Sequence, residues 1–241
     1  MILEMDVGNS RIKWRFLSKD GGCVFSGIES GALSLNSLER RVGKPTRVRI
    51  ACVRDQAFKQ ALRDDIQNCW AIQPEFAESC RRVGVVINAY DEPGRLGVDR
   101  WLAMLAAYNL VSGACIVVDA GSAITLDCIQ GNGQHLGGYI VPGIQMQRES
   151  LLSRTSITLS GAASWDSDSL GVNSFDAIHH GILSMVTRWI MGICASRTGE
   201  RWTIILTGGD SQVIERHLYQ HGIDTCRVPA LVMDGLAIAL P

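Results

Sequence analysis

The sequence predicts an α/β protein built from two similar halves, and three observations carry that prediction. The segments Met5-Asp6-Val7-Gly8-Asn9-Ser10, near the start, and Val118-Asp119-Ala120-Gly121-Ser122-Ala123, near the middle, look like two copies of one device. Each follows an apolar run (1–5 and 115–118), sets a carboxylate at a strand's end, and turns through glycine beside a small hydroxyl or amide residue. Strand-like and helix-like patterns alternate along the whole chain without low-complexity segments or long linkers. The 241 residues are 46% apolar and 20% charged, which supplies enough hydrophobic material for one large or two small globular domains.

Taken in order, residues 13–17 read as the return strand of a hairpin that begins with the N-terminal strand. Residues 18–45 carry no clear pattern. Residues 47–53 alternate charge and apolar bulk as a half-buried strand does. Phe58, Leu62 and Ile66 recur every four residues and define the buried stripe of a helix over 55–69, which Pro74 keeps from running far. A second helix covers 99–110 and stops before Gly113. Three strands then follow at 114–119, 123–129 and 135–141, broken at Gly121 and at Gly131-Asn132-Gly133. This restart mirrors the beginning of the chain and sets a boundary near residue 113. Helices are expected at 146–154, 174–196, after Asp210 and at 232–240, with a strand at 202–206. The Ser- and Asp-rich stretch 161–168 reads as a surface loop.

Several function classes are disfavoured by composition. A net charge of −1 and few aromatic residues give no footprint for nucleic acid. No apolar stretch approaches the roughly 18 residues that span a bilayer, and Glu4 and Asp6 spoil a secretory signal, so no membrane role and a cytoplasmic location are expected. Eight scattered cysteines lack metal-finger spacing and are expected to be reduced core residues. His217 and His221 have the spacing of one helical face but no accompanying glutamate or third ligand, and the adjacent His179 and His180 suit a packing or solvent role. Neither a P-loop nor a G-x-S-x-G pattern is found.

The two repeated turns are the chemical signal. Successive N–H groups in a tight glycine turn form an anion-binding concavity, and a neighbouring Asp suits the cation that accompanies phosphate. Asp6 and Gly8 are also ordinary turn formers. Asp99 stands where it could cap the helix starting at Arg100, and equally where a carboxylate could accept a proton.

Six motifs in order resemble those of the type III pantothenate kinases. They are Asp6-Val7-Gly8-Asn9-Ser10 with Lys13, Gly97-Val98-Asp99-Arg100, Asp119-Ala120-Gly121-Ser122-Ala123-Ile124-Thr125, Gly137-Gly138-Tyr139-Ile140-Val141-Pro142-Gly143, Asn173-Ser174 with Ala177-Ile178 and Gly181, and Thr207-Gly208-Gly209. The resemblance implies membership of the acetate- and sugar-kinase, actin-like and heat-shock chaperone superfamily. It therefore implies two ribonuclease-H-like, actin-like ATPase lobes with mixed sheets flanked by helices, 1–113 and 114–241, and an ATP cleft between them.

The implied reaction is transfer of the ATP γ-phosphoryl to the primary hydroxyl of pantothenate, the first step towards coenzyme A. By resemblance Asp99 is the base, while Tyr90, Gly97, Val98, Arg100 and Ser174 bind pantothenate. Ser174 would act across a homodimer, with the helix that follows it at the contact. Arg100 could face the substrate carboxylate or the transferring phosphoryl, a surface ion pair being the plainer alternative. ATP contacts are implied for Asp6, Val7, Gly8, Asn9, Ser10, Arg11, Ile12, Lys13, Ser122, Thr207, Gly208 and Gly209, with Gly8 and Asn9 offering N–H groups to phosphate. Asp6 would orient hydrated Mg²⁺. Asp119 would hold a monovalent cation, K⁺ or NH₄⁺, although the residues themselves do not distinguish K⁺ from Mg²⁺ there. Ser10, Ser122 and Ser174 stand where the family more often has Thr, and each keeps the hydroxyl. Another kinase of the superfamily, or a nucleotide-binding regulatory protein without catalysis, is the alternative. Neither needs the motif from Gly97 to Arg100.

Overall fold

A computed structural model describes residues 1–31, 33–158 and 169–241. The chain opens with β1 (Ile2–Val7), β2 (Ile12–Leu17), β3 (Cys23–Glu29), α1 (Leu35–Val42), β4 (Arg47–Cys52) and α2 (Gln56–Trp70). Three two-residue strands follow, β5 (Glu75–Phe76), β6 (Arg82–Val83) and β7 (Val86–Ile87), then a 3₁₀ turn (Pro93–Arg95) and α3 (Val98–Val111). After these come β8 (Cys115–Ala120), β9 (Ala123–Ile129), β10 (His135–Pro142), α4 (Ile144–Ser153), α5 (Ser174–Ala195), β11 (Thr203–Thr207), α6 (Ser211–Gln220), β12 (Cys226–Arg227) and α7 (Leu231–Ala239). The expected loop 161–168 lies outside the described residues.

Two five-stranded sheets form, ordered β3-β2-β1-β4-β5 and β10-β9-β8-β11-β12. Numbered within each sheet, both read 3-2-1-4-5. In both, the first three strands are antiparallel neighbours and the fourth and fifth join in parallel. The repeat seen in two short segments is thus a repeat of whole mixed sheets. Hairpins need only short turns, whereas each parallel addition needs a helix-bearing crossover. That requirement explains why helical patterns fall where they do in each half.

By contact the chain divides into one unit of Met1–Ala106 with Leu231–Pro241 and a second of Ala107–Ala230. The C-terminal helix, read from sequence with the second half, therefore belongs to the first unit. It packs on β1 and β4. Asp234 accepts from Arg15 at 2.6 Å, and Gly235 lies so close to the Leu102 carbonyl that a Cβ would collide with it. Neither long-range pairing has a local sequence signal.

In the first unit, Leu3, Met5 and Val7 of β1 share a sheet face with Trp14, Phe16, Val48 and Ile50, and α1 and α2 cover that face through Leu38, Leu62, Ile66 and Trp70. The period of two fixes what lies on the other face. There Glu4, fully buried, faces its cross-strand neighbours Arg15 and Arg49, with Glu4 oxygens 2.7 and 3.2 Å from their nitrogens. α2 is capped by Asp55, whose carboxylate accepts the Phe58 amide at 2.8 Å, and it ends at Ala71 in the left-handed conformation, before Pro74 is reached. β3 and α1 occupy the stretch 18–45 that carries no readable pattern. β3 is an edge strand with Val24, Phe25 and Ile28 exposed, so the usual alternation is lost.

In the second unit, Ile116 and Val118 of β8, Ile124 and Leu126 of β9, and Ile204 and Leu206 of β11 pack against Ile144, Ile182, Val186, Ile190, Ile214 and Leu218 of α4, α5 and α6. All eight cysteines are free. Cys52, Cys115 and Cys128 are core residues, whereas Cys23 and Cys80 are exposed rather than buried. His217 is buried on α6 and His221 is the exposed residue that caps it, so the i, i+4 pair does not share an environment. Among the described residues, no helix is long and apolar enough to cross a membrane.

Candidate active site

The first glycine turn is fixed by the pairing of the strands around it. Val7 pairs with Ile12 and Asp6 with Lys13, which leaves Gly8, Asn9, Ser10 and Arg11 as the turn. Val7 and Ile12 are buried in the core, while Asn9, Ser10 and Arg11 are exposed. The Gly8 amide donates to the Arg11 carbonyl at 3.0 Å, closing the turn instead of facing outward as the sequence reading had it. The cross-strand register brings Lys13 Nζ within 3.7 Å of Asp6 Oδ2.

Asp6 is only 13% exposed, and burial pushes its carboxyl above the ordinary aspartate value. The nearby Asp99 charge pushes the same way, and Lys13 opposes both. Strand β1 and helix α3 thus bring together the two carboxylates named from sequence. Lys13 and Arg100 balance the two carboxylates in this neighbourhood, and carboxylate oxygens of this kind suit a hydrated divalent cation accompanied by phosphate.

Helix α3 begins at Val98, one turn position earlier than the sequence suggests. Asp99 is consequently the second helical residue and not the cap, and its Oδ1 accepts the Arg100 amide at 2.8 Å. A carboxylate in the first turn is also favoured by the helix dipole. Gly97 precedes the helix, and a Cβ there would sit 2.6 Å from Asp99 Oδ1, so the missing side chain is what lets the carboxylate take this position. Val98 is buried.

Arg100 is 5% exposed, which rules out the surface ion pair as its setting. Its Nη1 donates to the Tyr90 hydroxyl at 2.9 Å, and its guanidinium lies 5.7 Å from the Tyr90 ring centroid. Tyr90 is held in turn by Asn88, a residue that no sequence pattern singles out. Asn88 is 1% exposed, accepts the Tyr90 amide at 3.0 Å and donates to the carbonyls of Cys80 and Pro93. It fastens a loop with little regular structure. Arg54 was also missed; it donates to the carbonyls of Gly8 and Asn9.

In the second unit, register places Asp119 of β8 between Thr125 of β9 and Thr207 of β11. Gly208, at φ +91°, follows Thr207. A Cβ on Gly208 would lie 2.5 Å from both Asp119 Oδ1 and the Ala120 carbonyl carbon. Gly143 approaches the same turn from another side, its amide donating to the Ser122 carbonyl at 3.0 Å, and a Cβ there would lie 2.5 Å from the Gly121 and Ser122 oxygens. The turn around Ser122 is therefore gripped by two glycine backbones, with Ser122 and Gly209 exposed and Thr207 buried. A hard carboxylate oxygen at the centre of such a turn suits a cation.

Ser174 is the exposed first residue of α5. The helix is capped by Asn173, whose side chain accepts the Asp176 amide at 2.9 Å.

Comparison with known proteins adds an independent finding. The family profile for type III pantothenate kinase matches residues 2–196. A type III pantothenate kinase of Cellvibrio japonicus is 36% identical over 99% of this chain and 96% of its own length. One of Pseudomonas putida strain W619 is 37% identical over 100% and 99%. Among solved structures, a Campylobacter jejuni protein described as a Baf family transcriptional activator superposes with a TM-score of 0.63 at 22% identity, covering 98% of this chain and 95% of its own. The activator of 2-hydroxyisocaproyl-CoA dehydratase from Clostridium difficile, with bound ADPNP, does so with 0.56 at 11% identity, over 98% and 92%. These two likenesses speak to the fold, which is that of the actin-like ATPases and sugar kinases.

Proposed function

This chain belongs to the type III pantothenate kinase family, and on that premise we propose that Asp99 is the base for transfer of the ATP γ-phosphoryl to the primary hydroxyl of pantothenate. The product is 4'-phosphopantothenate, the first step of coenzyme A biosynthesis. The observation that carries the assignment is the meeting of Asp6, Lys13 and Asp99 beside the Arg100–Tyr90 pair.

Phosphoryl transfer is mainly positioning and charge stabilisation. A primary alcohol is a weak nucleophile at neutral pH, so the Asp99 carboxylate accepts its proton as the oxygen attacks phosphorus. Arg100, held by the Tyr90 hydroxyl, presents a rigid fork of donors to the substrate, and Gly97 and Val98 line the same place. Asp6 would hold hydrated Mg²⁺, which would supply charge neutralisation on the phosphates. The turn from Gly8 to Arg11 and Lys13 serve the ATP phosphates, as do Ser122, Thr207, Gly208 and Gly209. Asp119 would hold a monovalent cation, K⁺ or NH₄⁺.

A homodimer in which Ser174 reaches the partner's pantothenate is supported by the exposed Met185 on α5 and by the exposed Tyr139 and Ile140 on the edge strand β10. Activity in the cytoplasm, where ATP and Mg²⁺ are supplied, accords with this reading.

The test is ADP formation by the purified protein with MgATP, with and without pantothenate and with K⁺, NH₄⁺ or Na⁺. Asp99→Asn keeps the shape and removes the base, and turnover is expected to fall about 10²- to 10⁴-fold with little change in melting. Pantothenate-independent ADP formation, or full turnover in the variant, would remove Asp99 from this role.

A further inference from the structure

Arg54 lies just after β4 and outside every motif, yet its guanidinium is committed to the first glycine turn. Nε donates to the Gly8 carbonyl at 2.9 Å and Nη2 to the Asn9 carbonyl at 3.1 Å. The guanidinium rests on the Phe58 ring, 4.4 Å from its centroid. Phe58 stands in the first turn of α2, its amide donating to the Asp55 cap. The ends of β1 and β4 are joined as well, Val53 donating to the Val7 carbonyl at 3.2 Å. Turn, arginine and the first turn of α2 therefore form one clamp.

A trans peptide points its carbonyl and the following N–H in opposite directions. Holding the Gly8 and Asn9 carbonyls towards Arg54 thus turns the Asn9 and Ser10 N–H groups to the other side of the turn. A charged donor on a carbonyl also polarises the peptide and makes its N–H a better donor. The Gly8 amide closes the turn on Arg11, and the clamp sets the direction of the two peptide groups that follow it.

We propose that Arg54 is a positioning residue for nucleotide, presetting the Asn9 and Ser10 amides against an ATP phosphate without touching it. The proposal rests on the reading of this turn as a phosphate loop. Lysine could not do the same, because a point charge on a flexible stem cannot hold two carbonyls in a fixed plane.

The test compares wild type, Arg54→Met, Arg54→Lys and Phe58→Leu. Two readouts are used: titration with a fluorescent non-hydrolysable ATP analogue in the absence of pantothenate, and KM for each substrate. Arg54→Met should weaken analogue binding and raise KM for ATP about tenfold, as expected for two charge-assisted hydrogen bonds. KM for pantothenate should stay within about twofold. Arg54→Lys should remain roughly threefold weaker than wild type, and Phe58→Leu, which removes the platform alone, should show a similar loss. These two variants carry the test if Arg54→Met does not fold. A folded Arg54→Met protein with wild-type analogue affinity, full recovery in Arg54→Lys, or a rise confined to KM for pantothenate would overturn the proposal. Wild type that binds the analogue but makes no pantothenate-dependent ADP would overturn the substrate reading alone and leave the Arg54 effect measurable.

Discussion

Replacing Gly97 with alanine tests the geometry around Asp99 with a single methyl group. The added Cβ would lie 2.6 Å from Asp99 Oδ1, and ordinary van der Waals contact begins near 3.4 Å, so the carboxylate must retreat by roughly 0.8 Å. Its next neighbour, Arg100 Cδ, is at an acceptable 3.8 Å, and Gly97 does not occupy the left-handed region, so the backbone itself tolerates alanine. A displacement near 1 Å of a reacting group costs about 10²-fold in rate. We expect kcat to fall about 30- to 100-fold. Stability should change little, because alanine also restricts the unfolded chain by about 0.4–1 kcal/mol. The assay is coupled ADP release at saturating MgATP and pantothenate, alongside thermal melting. Wild-type kcat in a folded Gly97→Ala protein would refute the claim that the reaction needs Asp99 where Gly97 allows it. A change confined to KM for pantothenate would mean that Gly97 acts only as a substrate contact and not by placing Asp99.

Two further substitutions probe the first unit. The Asp6 carboxyl is raised by burial and by Asp99, so the folded state binds its proton more tightly than the unfolded state does. That extra stability is present below the ordinary value of 3.8 and is lost as pH rises through the folded value, so at neutral pH the ionised carboxylate is a cost. Asp6→Asn should therefore raise the melting temperature at pH 7.5 by about 2–4 °C while abolishing MgATP turnover, and the gain should vanish below pH ~4; a lower melting temperature at pH 7.5 would contradict this. Arg15→Met leaves the fully buried Glu4 with Arg49 alone and releases Asp234 of α7. A loss of about 3 kcal/mol is expected in urea unfolding, whereas a change below about 0.5 kcal/mol would mean that the cluster holds neither strand nor helix.

Much of the site was legible because its parts are local. A strand ending in Asp and turning through Gly is a statement about four or five consecutive residues, and both Asp6 and Asp119 sit where that pattern put them. Asp99 reads from the sequence as cap or base or both, and α3 starting at Val98 puts it inside the helix rather than at its cap. Arg54 and Asn88 were invisible, since an arginine after a strand and an asparagine in a loop are unremarkable until the chain returns to them. An outward Gly8 amide is what the turn alone suggests, because sequence does not show which amide closes a turn.

By itself the sequence determined the period of each strand, the faces of the helices, the two glycine turns and, through six ordered motifs, the family. These follow from short-range rules in which a residue's neighbours along the chain decide its role. Only the tertiary structure decided that both sheets run 3-2-1-4-5, that α7 belongs with the first strands, that the charge of Asp99 acts on the buried Asp6, and that Arg54 holds a turn more than forty residues before it. Each of those depends on a contact between distant segments. Such a contact is chosen by packing and charge pairing across the whole fold, and leaves no periodic trace in the residues that make it.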